Sequence, residues 1–337
     1  MASLTAQWVR VVSSPRLYRS SQALSVVGES AYIFGGELVP RQPVDNQIDV
    51  VELGEGQVWE VKTLPAKANA PSARVGSPST PLDGKLWLFS GRGGINMEPL
   101  EEKGALWSYD VAQARWSAEE PADSAAPCPS GRSYHCITSD GRSKIYVHSG
   151  CPVQGRLSDL WVFDIREKAW EKLPLAPGPA RGGASIAFAA NKLYRINGFD
   201  GKTEQGSSLD VYDLSTASWS SISYRADGVE GPEARSVSTL LPVSVSGTTY
   251  LLTMFGERGP SSLGHAGAGK MLSDVWAFDI HGGQWQKVEA AGDAPEGRGW
   301  FDADVLEVKG ENHIVVVHGG LNEGNERLGD VWKLVFA

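Results

Sequence analysis

Apolar and polar residues alternate along this chain in short runs, and the runs are broken by turn residues. In Asp274-Val-Trp-Ala-Phe-Asp-Ile-His-Gly-Gly-Gln-Trp285 the alternation predicts a strand. His281-Gly282-Gly283 predicts a tight turn, and Gln284-Trp285 opens a returning strand, so the unit is a β-hairpin. The unit recurs from Asp159 to Trp170 and from Leu106 to Trp116. Degenerate copies run from Leu209 to Trp219 and from Asp49 to Trp59, the latter with a turn at Glu55-Gly56-Gln57 that is one residue shorter. A half-copy, Asp330-Val-Trp-Lys-Leu, ends the sequence without a second Trp.

A second unit precedes every hairpin: an Arg, an apolar strand, a short turn, another apolar strand, then Gly or Gly-Gly. It runs from Arg19 to Gly36, Arg74 to Gly91, Arg132 to Gly150, Arg181 to Gly198, Arg235 to Gly256, and Arg298 to Gly320. Together the two units make a four-stranded module with a period of about 50 to 65 residues, the range of propeller blades. Six modules predict an all-β, six-bladed β-propeller occupying residues 1–337 as one domain. Gln7 to Val12 has the pattern of a fourth strand with no first three, and the last module lacks a fourth. Pairing the two chain ends would complete the last blade and remove an exposed sheet edge.

The Gly-Gly, the spaced aromatic and the Trp after the hairpin turn resemble the kelch family of β-propellers over nearly the whole chain.

Loop length separates the two faces of such a ring. The turns inside modules are short, as at Gly28-Glu29-Ser30 and Asp83-Gly84-Lys85. The connections after each repeated glycine are long, as from Glu37 to Gln47 and from Glu257 to Ser273. Long loops on a rigid scaffold carry function, so the site is expected at the channel mouth on the long-loop face. Arg19, Arg74, Arg132, Arg181, Arg235 and Arg298 each begin an innermost strand there. A ring of guanidinium groups could grip an anionic oxygen, or could tie neighbouring blades through backbone carbonyls. Tyr134 and His135 after Arg132, and Trp300 and Phe301 after Arg298, could wall an apolar pocket.

The net charge of −9 with no basic cluster argues against nucleic acid and anionic membranes as partners. No apolar run approaches the roughly 20 residues of a membrane span, and the N-terminus has no secretory pattern. Cys128, Cys136 and Cys151 form no Cys-x-x-Cys, so free thiols in a cytoplasmic protein are expected rather than zinc held with His135. Oligomeric state is not legible.

The longest loop contains Gly264-x4-Gly269-Lys270, a partial phosphate-loop match. Met271 stands where Ser or Thr belongs, and a strand follows instead of a helix, so a nucleotide site is rejected. The loop is similar to that of the plant specifier proteins (nitrile-specifier, epithiospecifier and thiocyanate-forming) and their fungal relatives. That resemblance implies Fe(II) ligands at Glu257 and His265, with Ser261 where the family has Asp. A neutral hydroxyl is a poor substitute for a carboxylate on Fe(II). Fungal relatives of this kind include kelch-like hetero-Diels–Alderases acting on tropolone quinone methides.

Three functions follow as expectations. The first is a metal-free, cofactor-free enzyme of small-molecule metabolism, a cyclase or hetero-Diels–Alderase. It would hold diene and alkene together at the mouth, with Arg132, Arg298 or His265 polarising an oxygen. Arg19, Arg74, Arg181, Arg235, Tyr134, His135, Glu257, Trp300 and Phe301 would line its substrate site. The second is an Fe(II)-dependent specifier-type lyase. The third is a non-catalytic kelch scaffold.

Overall fold

The computed structural model describes residues 3–54, 60–308, 310 and 312–337, with the side chain of His265 left aside. The Glu55-Gly56-Gln57 turn and Trp59 lie outside the described residues.

Among the described residues the chain forms six sheets, each built on four antiparallel strands, plus short loop strands. The first sheet runs through Ser20–Val27, Ser30–Val39, Ile48–Glu52 and Val61–Leu64. The third runs through Cys136–Ser139, Lys144–Gly150, Leu157–Asp164 and Ala169–Leu173, and the second, fourth and fifth repeat that order. The last sheet takes Asp302–Leu306, Ile314–His318 and Asp330–Phe336, then Thr5–Ser13 from the start of the chain. Thr5–Ser13 pairs antiparallel with Asp330–Phe336, placing Trp8 opposite Leu334. The short strand Glu289–Ala291 pairs parallel with Thr5–Ser13 on its outer side.

The repeated Trp has a structural cause. In four sheets it sits directly opposite an aromatic of the preceding strand: Tyr109 with Trp116, Phe163 with Trp170, Tyr212 with Trp219, Phe278 with Trp285. Their ring centroids are 5.0–5.2 Å apart at 50–56°, a tilted packing that favours the positive ring edge against the negative face. In the same four sheets the aspartate ending the third strand accepts amide protons of the following turn, as Asp164 does from Arg166 and Glu167 and Asp279 from His281 and Gly282. Alternation, turn cap and cross-strand pair thus agree on one hairpin register.

Apolar clusters lie between neighbouring sheets. One joins Trp8, Phe255, Phe301, Trp332 and Leu334 from the fifth and last sheets. The first strands of the sheets contact one another in sequence order, and Asp302–Leu306 of the last sheet also contacts Ser20–Val27 of the first. Together they line a cavity, here called the channel, of about 730 Å³. No helix among the described residues is long and apolar enough to cross a membrane, and the three cysteines are free thiols.

Candidate functional site at the long-loop face

The six repeated arginines turn into the sheets. All are at most 6% exposed. Each donates to a carbonyl near the end of its own second strand: Gly35, Ser90, Ser149, Asn197, Phe255 or Gly319. Arg132, Arg235 and Arg298 also form two-pronged ion pairs with Asp159, Asp274 and Asp330 at 2.5–3.0 Å. The same aspartates accept from the indoles of Trp161, Trp276 and Trp332, which explains the Asp-x-Trp spacing. Burial works against the ionised form of each aspartate, but its Arg and indole donors outweigh it and hold the carboxyl below the usual range. Arg74 uses Glu102, and Arg19 uses Asp49, which also holds Arg16.

The fourth sheet departs from the rule. Ser208 stands at the aspartate position, and Arg195 and Asp210 pair instead. Among the described residues Arg181 has no ion-pair partner. Its guanidinium is pushed down to about 10 by burial and by neighbouring Arg195. The expected aim of these six guanidinium groups at the axis is therefore corrected: they bind carbonyls and carboxylates within the sheets.

What faces the axis is backbone. Ser21, Gly76, Tyr134, Gly183, Val237 and Trp300 each stand two residues after a repeated arginine, and all have φ between 47° and 59°. Their amides form a closed cycle at 2.8–3.2 Å: Gly76 donates to Ser21, Tyr134 to Gly76, Gly183 to Tyr134, Val237 to Gly183, Trp300 to Val237, and Ser21 to Trp300. The left-handed conformation directs each N–H and C=O along this belt, which bounds the channel on the loop side. The Tyr134 ring lies over Gly76, where a Cβ would be 3.1 Å from it, and its hydroxyl is 3.5 Å from Ser21 Oγ.

A second set of six residues lies beside the belt. Glu37, Arg92, Cys151, Phe199, Glu257 and Leu321 each directly follow the repeated glycine and pair with the residue after the repeated arginine. Phe199 and Leu321 are apolar. Glu37 is fully buried and lies 3.5 Å from Arg327. Arg92 donates to Ser133 Oγ and to the Met97 carbonyl. Arg156, in the next loop, donates to the Gly155 carbonyl, and its buried Nε has no hydrogen-bond partner. Among the described residues neither Arg92 nor Arg156 has a carboxylate at ion-pair distance. Both face Cys151: burial pushes its thiol up, and the two guanidinium groups oppose that shift. A Cβ at Gly182 would lie 2.5 Å from Cys151 Sγ and 3.4 Å from Arg156 Cδ, so both side chains converge above that glycine.

The remaining predicted residues divide. Tyr134 and Trp300 belong to the belt, and burial pushes the Tyr134 hydroxyl well above its ordinary range. His135 is buried against Phe89, with neither ring nitrogen hydrogen bonded. Burial and Arg132 push it down to about 3, so it is neutral. Phe301 packs edge-on against Phe255 in the core. Glu257 is buried and accepts from the Gly269 amide at 2.6 Å. Ser261 Oγ accepts from the Leu263 amide. The backbone of His265 lies in the single turn Gly264–Ala266, and its side chain lies outside the described residues.

These donors fit Fe(II) poorly. Ser261 contributes a neutral hydroxyl, which accepts from the Leu263 amide and brings no charge to the metal.

Sequence comparison agrees with this architecture. Residues 21–256 match the KLHDC2/KLHL20/DRC7 Kelch-repeats domain, and the chain belongs to the Kelch-repeat family. It is a Kelch β-propeller protein related to the nitrile-specifier group. It is 26% identical to N-(sulfonatooxy)prop-2-enimidothioate sulfolyase of Thlaspi arvense, over 98% of this chain and 97% of that one. It is 28% identical to Tip elongation aberrant protein 1 of Schizosaccharomyces pombe over 56% of this chain, spanning 16% of that protein. The solved structure of YjhT superposes with a TM-score of 0.71 at 15% identity, covering 95% of each chain.

Proposed function

We propose that this protein is a small-molecule enzyme of the lyase type whose site is the long-loop mouth, and that Arg92 and Arg156 hold an anionic group of its substrate there. One observation carries the reading. Two guanidinium groups without carboxylates converge on one spot of a mouth where Arg132, Arg235 and Arg298 are already paired with aspartates. A planar cation with spare donors matches a sulfate or carboxylate oxygen pair. The relative aligned from end to end is a sulfolyase, and its reaction sets free an anion of that class.

The six sheets are then blades of one closed propeller, with Thr5–Ser13 completing the last. The cyclic amide belt and the pairing of the chain ends support this. Deleting residues 1–12 is expected to lower the melting temperature of the whole domain, because it strips a blade of its outer strand. A truncated protein that melts with the parent would contradict the closed ring.

At the mouth, a substrate anion over Cys151 would leave its apolar part against Phe199, whose partner Gly182 lies under the Cys151 thiol. The Tyr134 hydroxyl stays protonated across the neutral range and can donate a hydrogen bond or a proton to a leaving or developing oxygen. Holding the anion as its bond breaks stabilises charge that develops in the transition state. No step is assigned to iron, because Ser261 offers only a neutral hydroxyl where a carboxylate would be needed. A cyclisation reading uses the same mouth, with Tyr134 as donor and the apolar wall as its second surface.

The test is to incubate the purified protein with N-(sulfonatooxy)prop-2-enimidothioate and follow sulfate release and organic products, with and without a chelator. Faster release or altered products, insensitive to the chelator, is the expected result. Rates and products identical to the protein-free control would contradict the lyase reading and leave a binding propeller. Activity lost on chelation and restored by Fe(II) would contradict the metal-free chemistry.

A further inference from the structure

Five of the six repeated arginines meet a carboxylate, and the pattern breaks in the fourth sheet. Ser208 precedes Asp213 by five residues, as Asp159 precedes Asp164 and Asp274 precedes Asp279. Serine thus holds the position from which the third and fifth sheets supply their aspartate. Its hydroxyl replaces a carboxylate and donates to Asp210 at 2.8 Å. Arg181 keeps the backbone bonds of a brace: Nε donates to the Pro179 carbonyl and Nη1 to the Asn197 carbonyl. In Arg132, Arg235 and Arg298 the Nη2 donates to the aspartate. In Arg181 the Nη2 has no hydrogen-bond partner among the described residues.

There is room beside that nitrogen. A Cβ added at Gly178 would lie 3.2 Å from Arg181 Nη2 and, its chain neighbours apart, would meet no other atom within 4 Å. Solvent reaches the place as well. Arg181 is 6% exposed, whereas the other five arginines are at most 1% exposed. The carboxylates paired with Arg74, Arg132, Arg235 and Arg298 are themselves 13–23% exposed.

The acids near Arg181 are committed elsewhere. Asp210 accepts from Arg195, Ser208 and Ser221. Asp200 accepts from the Lys202 and Thr203 amides and from Gln205. Arg195 is a second cation of this cluster: it is fully buried, and its Nη1 has no hydrogen-bond partner. Cys136 and His148 bring no charge, because burial pushes the thiol up to about 12 and the imidazole down to about 3. Two guanidinium groups therefore share one buried carboxylate, and a buried charge without a partner is costly.

We propose that Arg181 binds a small monovalent anion such as chloride, in the place where the third, fifth and last sheets set an aspartate. A guanidinium with a spare N–H donor and room beside it suits an ion of that size. The role is structural. The ion completes the fourth brace, whereas Arg92 and Arg156 hold the substrate anion at the mouth.

Thermal melting at fixed ionic strength tests this, with sodium chloride exchanged stepwise for sodium isethionate, whose anion is too large for the room of one carboxylate group. The melting temperature of the parent is expected to rise with chloride and level off, by about 1–3 °C in all. Ser208→Asp supplies the missing carboxylate and is expected to lose the chloride response. A variant carrying both Arg92→Ala and Arg156→Ala is expected to keep it. A parent without the response overturns the proposal, as does a response that survives in Ser208→Asp or vanishes with the two mouth arginines. Crystals of the parent soaked in sodium bromide give a reading that needs no substitution. Anomalous difference density is expected within hydrogen-bond reach of Arg181 Nη2, and its absence there overturns the proposal equally.

Discussion

Arg298 and Arg92 are the same residue type near the same face of the molecule, yet the fold uses them differently. Arg298 is fully buried, donates to the Gly319 carbonyl and grips both oxygens of Asp330. Arg92 stands beside the belt, is half-buried, and spends its described hydrogen bonds on a serine hydroxyl and one carbonyl. Arg298 recurs in every module because every sheet needs the same internal brace. Arg92 does not recur: the matching positions hold Glu37, Cys151, Phe199, Glu257 and Leu321. In a repeat protein, a residue kept at one repeat position indicates architecture. A repeat position whose residue changes each time is free to build a site.

The sharpest way to break this comparison is to remove a brace. Arg298→Ala leaves Asp330 buried with only its indole donor, and breaking such a pair typically costs about 3–5 kcal/mol. Denaturant unfolding should show that loss, while the folded fraction keeps its turnover. Arg181 refines the argument, because it is a brace without a carboxylate. Its replacement by Ala should cost only its hydrogen bonds to two carbonyls, about 1–3 kcal/mol, measured the same way. Equal losses at Arg181 and Arg298 would mean that the carboxylates add nothing.

A smaller effect concerns the seam between the first and last sheets. Asp302 and Asp304 accept from the amides of Leu24 and Val26 across that seam. Burial outweighs those donors and pushes the two carboxyls up to about 8 and about 7. An unfolded aspartate titrates near ~3.9, so the folded state favours the protonated acids. Their contribution to stability is complete below that value and is lost as pH rises through about 8. Unfolding measured from pH 5 to pH 9 should show stability falling toward the alkaline end, and Asp302→Asn should flatten that slope. A stability that rises with pH across this window would contradict the assignment.

Much of the fold was legible because it repeats. The Arg-to-Gly unit and the hairpin with its Trp are marked by residue type at fixed spacing, and the structure shows why each type is needed. The direction of the arginines was not legible. Asp159, Asp274 and Asp330 were visible at the head of each hairpin, but which way a side chain leaves the start of a strand depends on the belt, where φ is positive at every module. The belt has no residue signature: Ser, Gly, Tyr, Gly, Val and Trp share a conformation and nothing else. Glu257, Tyr134 and Trp300 were picked out from sequence, whereas Glu37, Arg92, Cys151, Phe199 and Leu321 were missed. The one available signal was positional, the residue directly after the repeated glycine. Arg156 lies deeper in a loop, and only the convergence over Gly182 brings it to Cys151.

The central claim is that the mouth works through its unneutralised arginines while the repeated ones hold the sheets together. The most direct measurement is sulfate release from N-(sulfonatooxy)prop-2-enimidothioate by Arg92→Ala, Arg156→Ala and Arg298→Ala, with the melting temperature recorded for each. Losing one donor to a developing anion typically lowers the rate about 100- to 1,000-fold. The account predicts that loss for Arg92→Ala and Arg156→Ala at unchanged melting temperature, and for Arg298→Ala a lower melting temperature at near-normal rate per folded molecule. Full activity in both mouth variants, with activity lost only in Arg298→Ala at unchanged stability, would contradict it.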